Sequence, residues 1–137
     1  MGLNLSSDAP QLFKTLVEAT AFGAKAIVER FRTEGVPIRE VIGIGGVSKK
    51  SPFVMQVLAN VLNMPIKIVK SEQACALGAA MCAATAASVH PTMAAAQAAM
   101  SSGFDTIFHP QAEKVVIYEN LYKKYLSLGN FIEKNAF

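Results

Sequence analysis

The chain has 137 residues, 52% of them hydrophobic and 17% charged, with a formal net charge of +3. That is one domain's worth of chain and far too apolar for a disordered protein. Its 13 Lys and Arg residues are spread along the sequence, which excludes the clustered basic surface of a nucleic-acid binder.

The opening residues, MGLNLSSDAP, lack the basic start and long apolar run of a secretory signal. Met1-Gly2 with Ser6 has the form of a myristoylation start, but the next residues read as a turn before a helix. Asp8 can cap free N–H groups and Pro10 suits a first turn, so a helix is predicted from Pro10 to Glu34. Leu12, Leu16, Gly23, Ile27 and Phe31 form one apolar stripe on it. Phe13, Val17, Ala21, Ala24 and Val28 form the adjacent stripe, so burial on more than one side is expected. Gly35 and Pro37 end the helix.

Glu40 to Ile44 reads as a short strand whose continuous apolarity suits cover on both faces. Gly45-Gly46 comes next, then a predicted loop through Val47, Ser48, Lys49 and Lys50. Ser51 caps a helix opened by Pro52 and running from Phe53 to Leu62. Asn63-Met64-Pro65 turns the chain into a second strand, Ile66 to Val69. Ser71 is the predicted cap of an alanine-rich helix from Glu72 to Ala87, whose acidic first turn suits the helix dipole. This βαβα order is that of a parallel sheet.

Beyond the His90-Pro91 break, a helix is predicted from Thr92 to Met100, then a loop from Ser101 to Ala112. A last helix runs from Glu113 to Lys134. Tyr118, Leu121, Tyr122, Tyr125, Leu128 and Ile132 form its packing stripe. Gln73 to Phe104 contains no charged residue, but its alanine content and His90-Pro91 break predict two packed helices rather than a membrane span. Cys75 and Cys82, seven apart on one helix, are expected to be buried small hydrophobes. Two strands cannot cover this much helix surface, and their edges would be left unpaired. The expectation is a part of a larger sheet.

The chemistry concentrates at Gly45-Gly46, at the carboxyl end of a strand, where ligands bind in open α/β sheets. Glycine there lets a ligand approach the backbone without a Cβ clash. The spacing is neither GxGxxG nor a P-loop. A purely structural turn and a ligand seat both remain open, as do a solvated loop and a phosphate contact for Lys49-Lys50.

Taken together, Gly45-Gly46, Met55-Gln56 and Ala76-Leu77-Gly78-Ala79-Ala80 resemble the C-terminal signature of the FGGY carbohydrate kinases, members of the actin-like superfamily. Within that family the run Ser71–Ala80, the helix Leu16–Phe31 and the tail Asn120–Gly129 resemble the branch acting on L-ribulose. The resemblance implies an α/β fold: a partial actin-like (ribonuclease H-like) ATPase domain lacking its first three strands. It implies a division into a nucleotide-side α/β core, residues 1–89, and a C-terminal helical extension, residues 90–137. Gly45 and Gly46 would approach the adenosine and α-phosphate of ATP. Ser48, Lys49 and Lys50 would line the loop beside the nucleotide. Ser51 stands where many relatives have Asn, which shortens its reach. Gln56 is expected to be structural, Glu72 to cap its own helix and Gly78 to allow close helix packing. The resemblance further implies ATP with Mg²⁺, the metal site lying mostly outside this chain, and a cytoplasmic enzyme. The sugar pocket and the Asp acting as base would belong to an N-terminal kinase half that this chain lacks, so the fragment alone is expected to be inactive. The unpaired edge and apolar helix faces suggest a homodimer. A non-catalytic actin-like self-association module and a dinucleotide-binding domain are the alternatives.

Overall fold

The computed structural model describes residues 7–135; the Met1-Gly2 and Ser6 reading lies outside them. Helix α1 spans Ala9–Thr33, with Asp8 accepting the Gln11 N–H at 2.8 Å as its cap. Strand β1 is Val41–Gly43 and β2 is Ile66–Val69. Between them lie α2, Gly46–Lys50, and α3, Pro52–Leu62. After β2 come α4, Ala74–Ala86, and α5, Met93–Met100. Strand β3, Phe104–Phe108, and helix α6, Ala112–Asn135, complete the chain.

The three strands form one sheet in the order β1-β2-β3. β1 and β2 are parallel, joined through α2 and α3, with Val41 opposite Ile66 and Gly43 opposite Ile68. β3 runs antiparallel to β2, with Ile66 opposite Phe108 and a bulge at Ile68/Val69.

Two expected loops prove to hold regular structure. The segment expected to be a loop from Ser101 to Ala112 contains β3, because β2 offers it a free ladder; the Lys70 N–H extends that pairing to the Gly103 carbonyl at 3.0 Å. The loop expected over Val47–Lys50 is the short helix α2, closed by the Ser51 N–H donating to the Val47 carbonyl at 3.0 Å.

α3 explains its own sequence. It is apolar nearly all round, as a helix between two layers must be. Met55 and Ala59 pack with Ile66 and Ile68 of the sheet. Val57 and Val61 pack with Ala21 and Phe22 of α1 and Tyr118 and Tyr122 of α6. Asn60 is buried, and its Oδ1 accepts the Gln111 N–H at 2.8 Å and Gln56 Nε2 at 3.1 Å. Gln56 Nε2 also reaches the His109 carbonyl at 2.8 Å. Gln56 therefore pegs the β3–α6 connection to α3, a structural task as expected.

The tyrosine stripe of α6 clamps α1. Phe22 lies 6.2 Å from Tyr118 and 5.5 Å from Tyr125, centroid to centroid. The Tyr118 hydroxyl donates to Glu18 at 3.1 Å and that of Tyr122 to Glu29 at 2.8 Å. Lys25, buried between the helices, is ion-paired to Glu119. Burial first, and then the Glu18 carboxylate, pushes the Tyr118 phenol up to about 12. Burial and the bond to Glu29 push Tyr122 well above the ordinary phenol range.

On the opposite face of the sheet, α4 and α5 pack mainly against each other. α4 begins at Ala74, with Gln73 at the capping position and no acidic residue in its first turn. Ser71 instead accepts the Gln73 N–H at 3.2 Å in a turn ahead of the helix, so neither Ser71 nor Glu72 caps it as predicted. Cys75 and Cys82 are exposed, not buried, because the side of α4 that carries them has no neighbouring element among the described residues. Gly78 has no atom within 4 Å of a built Cβ, so the close helix contact expected there is not made. No described helix is long and apolar enough to cross a membrane.

Candidate functional site

β1 stops at Gly43, and the chain leaves the sheet through Ile44 and Gly45. Gly45 adopts φ 85°, ψ −178°, a region that side chains other than glycine's hardly tolerate. That turn lets Gly46 start α2 immediately above the strand end. Built Cβ atoms on Gly45 and Gly46 would meet nothing within 4 Å. The glycine backbone is therefore exposed and approachable, the property a flat or anionic ligand requires.

The six residues singled out in the sequence lie together around this turn, in different roles. Ser48 is buried, and its hydroxyl donates to the Gly45 carbonyl at 2.7 Å. Lys49 Nζ donates to the Lys70 carbonyl at 2.5 Å, tying α2 to the end of β2. Lys50 points into solvent. Ser51 accepts the Val54 N–H at 3.4 Å and caps α3.

Sequence reasoning passed over two features. Gly43 is the first: a Cβ there would lie 2.8 Å from Ile68 Cδ1 and 3.2 Å from Ser48 Cβ, so this glycine lets α2 close over the strand end. Its signal was present in the Gly-x-Gly-Gly run. The second is an apolar cleft of about 410 Å³ beside the turn, between the sheet and α4. Ile42, Ile44, Val69 and Phe104 form its floor, and Leu77 and Met81 its far wall. Ile42 in β1 and Ile44 just past its end, two apart in the sequence, could have indicated it. Among the described residues no group of three or more His, Cys, Asp or Glu side chains could hold a metal ion.

Residues 1–87 match the FGGY family of carbohydrate kinases, C-terminal domain. This chain belongs to that family. It is 46% identical over 134 residues to a ribulokinase of Vibrio parahaemolyticus and 41% identical over 138 residues to one of Bacillus licheniformis. Each alignment covers 98% of this chain, and 24% and 25% of the relative respectively. The chain thus spans about a quarter of the length of the curated relatives it matches. Its fold is that of a solved xylulose kinase from Rhodospirillum rubrum, with a TM-score of 0.81 at 24% identity over 98% of this chain and 27% of that one. The mixed α/β arrangement is accordingly part of the actin-like ATPase fold of the FGGY sugar kinases.

Proposed function

We propose that this FGGY domain is the ATP-side part of a kinase that phosphorylates L-ribulose with MgATP. The observation that carries the reading is the likeness to ribulokinases at 46% identity along 98% of the chain. The exposed Gly45-Gly46 backbone at the end of β1 supports it, since a nucleotide can lie against it. In this reading residues 1–89 form the nucleotide-side core and residues 90–137 the extension, which also adds β3 to the sheet. Gly45, Gly46, Ser48, Lys49, Lys50 and Ser51 form one wall of the ATP site. Phosphoryl transfer is catalysed chiefly by positioning and charge stabilisation. This wall would hold the adenosine end while groups outside the chain bind the sugar, the Mg²⁺ and the transferred phosphoryl group. The enzyme would work in the cytoplasm.

Titration with ATP and with NAD tests the assignment. ATP is expected to bind in preference, and a preference for NAD would overturn it in favour of a dinucleotide-binding domain. Turnover of L-ribulose with MgATP by this chain alone is expected to stay at background; real activity would show that no further domain is required.

A second reading, self-association, is favoured by one specific observation. Ile42 on the outer strand β1 and Ile44 just beyond its end are 45% and 54% exposed, and the far edge of β1 has no partner among the described residues. Sedimentation at low concentration distinguishes a homodimer from a monomer.

A further inference from the structure

Within the nucleotide reading, on which this inference rests, the six motif residues need not all touch ligand. We infer that the ligand-facing side of the turn is the backbone of Gly45 and Gly46 with the side chains of Val47 and Lys50, and that Ser48 and Lys49 are positioning residues that hold this surface in shape.

Three observations carry the division. First, the Ser48 hydroxyl points inward: the residue is 5% exposed and its proton is committed to the Gly45 carbonyl. That bond ties the first turn of α2 to the glycine at φ 85°. Second, the Lys49 ammonium is drawn to the Lys70 carbonyl, 21 residues away in sequence. It joins the ends of the two parallel strands, and a cation is well suited to a carbonyl left free at a strand terminus. Third, Val47 is 61% exposed and Lys50 is exposed. Residues three apart on a helix share a face, so an apolar side chain and a cation stand side by side next to the open glycine backbone. Among the described residues no hydrogen bond or ion pair holds Lys50. An apolar contact beside a free ammonium matches a nucleotide's two halves: base and ribose against Val47 and the glycines, phosphate toward Lys50.

The test is a titration of the chain with adenosine, ADP and ATP, each at low and high salt. Lys50→Met is expected to weaken ADP and ATP by roughly tenfold and adenosine by less than about twofold, with the salt dependence of ADP binding reduced. Ser48→Ala and Lys49→Met are expected to weaken all three ligands by the same factor, because they loosen the surface rather than remove a contact. If Lys49→Met weakens ADP and spares adenosine, Lys49 is a phosphate ligand and the division is wrong. Equal losses for adenosine and ADP in Lys50→Met would remove Lys50 from the ligand face. If the unmodified chain binds none of the three, the nucleotide reading falls and the ligand face with it. Hydrogen exchange then still tests the clamp. Ser48→Ala and Lys49→Met must speed exchange of the Ser51 amide, which closes α2 onto the Val47 carbonyl, and Lys50→Met must not. Unchanged exchange in both clamp variants overturns the positioning role whether or not nucleotide binds.

Discussion

Ile66 and Ile68 turn toward α3 and are 0% and 2% exposed; Ile42 and Ile107, on the same three strands but turned the other way, remain 45% and 44% exposed. Behind α3 stand α1 and α6, so that side of the sheet is covered two helices deep. On the other side α4 and α5 leave an apolar cleft open. Strand residues of similar apolarity thus do different work. The covered side supplies the burial that drives folding, at roughly 25 cal/mol per Å² of apolar surface. The open side carries the cleft and the approach to the glycine turn, and its apolar floor is left exposed.

The largest predicted effect tests this asymmetry directly. Ile66→Ala removes a fully buried side chain from the central strand and is expected to cost about 3–4 kcal/mol in urea unfolding. Ile42→Ala, a neighbour on the open face, is expected to cost less than about 1 kcal/mol. Equal losses would mean that the open face is as well packed as the covered one.

Two glycines sharpen the comparison with opposite signs. Gly43→Ala forces a Cβ to within 2.8 Å of Ile68 Cδ1 and 3.2 Å of Ser48 Cβ. The terminal methyl of Ile68 can shift, but the Ser48 side chain is held by its hydroxyl's bond to the Gly45 carbonyl, so a loss of about 1–2 kcal/mol is expected. Gly78→Ala meets nothing within 4 Å in the middle of α4. It is expected to stabilise the helix by about 0.5–1 kcal/mol. Thermal unfolding of the two variants checks both signs, and a destabilising Gly78→Ala would show that α4 is more tightly covered in solution.

What the sequence revealed divides along the same line. α1 and α3 announce themselves through the caps Asp8 and Ser51, whose hydrogen bonds form as expected, and through Pro52 in the first turn of α3. β2 is legible because Ile66–Val69 is apolar and bounded by turn residues. The open side is harder to read. β3 has four of its five residues exposed and becomes a strand only because β2 is there to pair with. α4 is so rich in alanine that its packed and open faces do not differ in sequence, which is why the burial expected for Cys75 and Cys82 is wrong. At the glycine turn the sequence shows which residues are present but not what each side chain bonds to. Only the folded chain shows that Ser48 points inward and Lys49 reaches Lys70.

The remaining predicted effect lies in the outer layer of the covered side, where α6 clamps α1. Tyr118 donates to Glu18, with Lys14 3.6 Å from the same carboxylate oxygen. The phenol is pushed up to about 12 from the ordinary value of 10.0, first by burial and then by Glu18. A group whose folded pKa is raised binds its proton more tightly when folded. Its contribution to stability is therefore complete below pH 10 and is lost as pH rises from there through about 12. Tyr122, raised in the same sense by burial and Glu29, begins its loss from the same ordinary value of 10.0 and continues it to higher pH. Tyr118→Phe keeps the ring against Phe22 and removes only the hydroxyl, so a cost of about 0.5–1.5 kcal/mol at neutral pH is expected. The same variant should make the alkaline fall in stability above pH 10 shallower, leaving the share that belongs to Tyr122. Urea midpoints measured from pH 8 to 12 for both proteins would show this, and parallel curves would mean that the Tyr118 proton is not what holds α6 to α1.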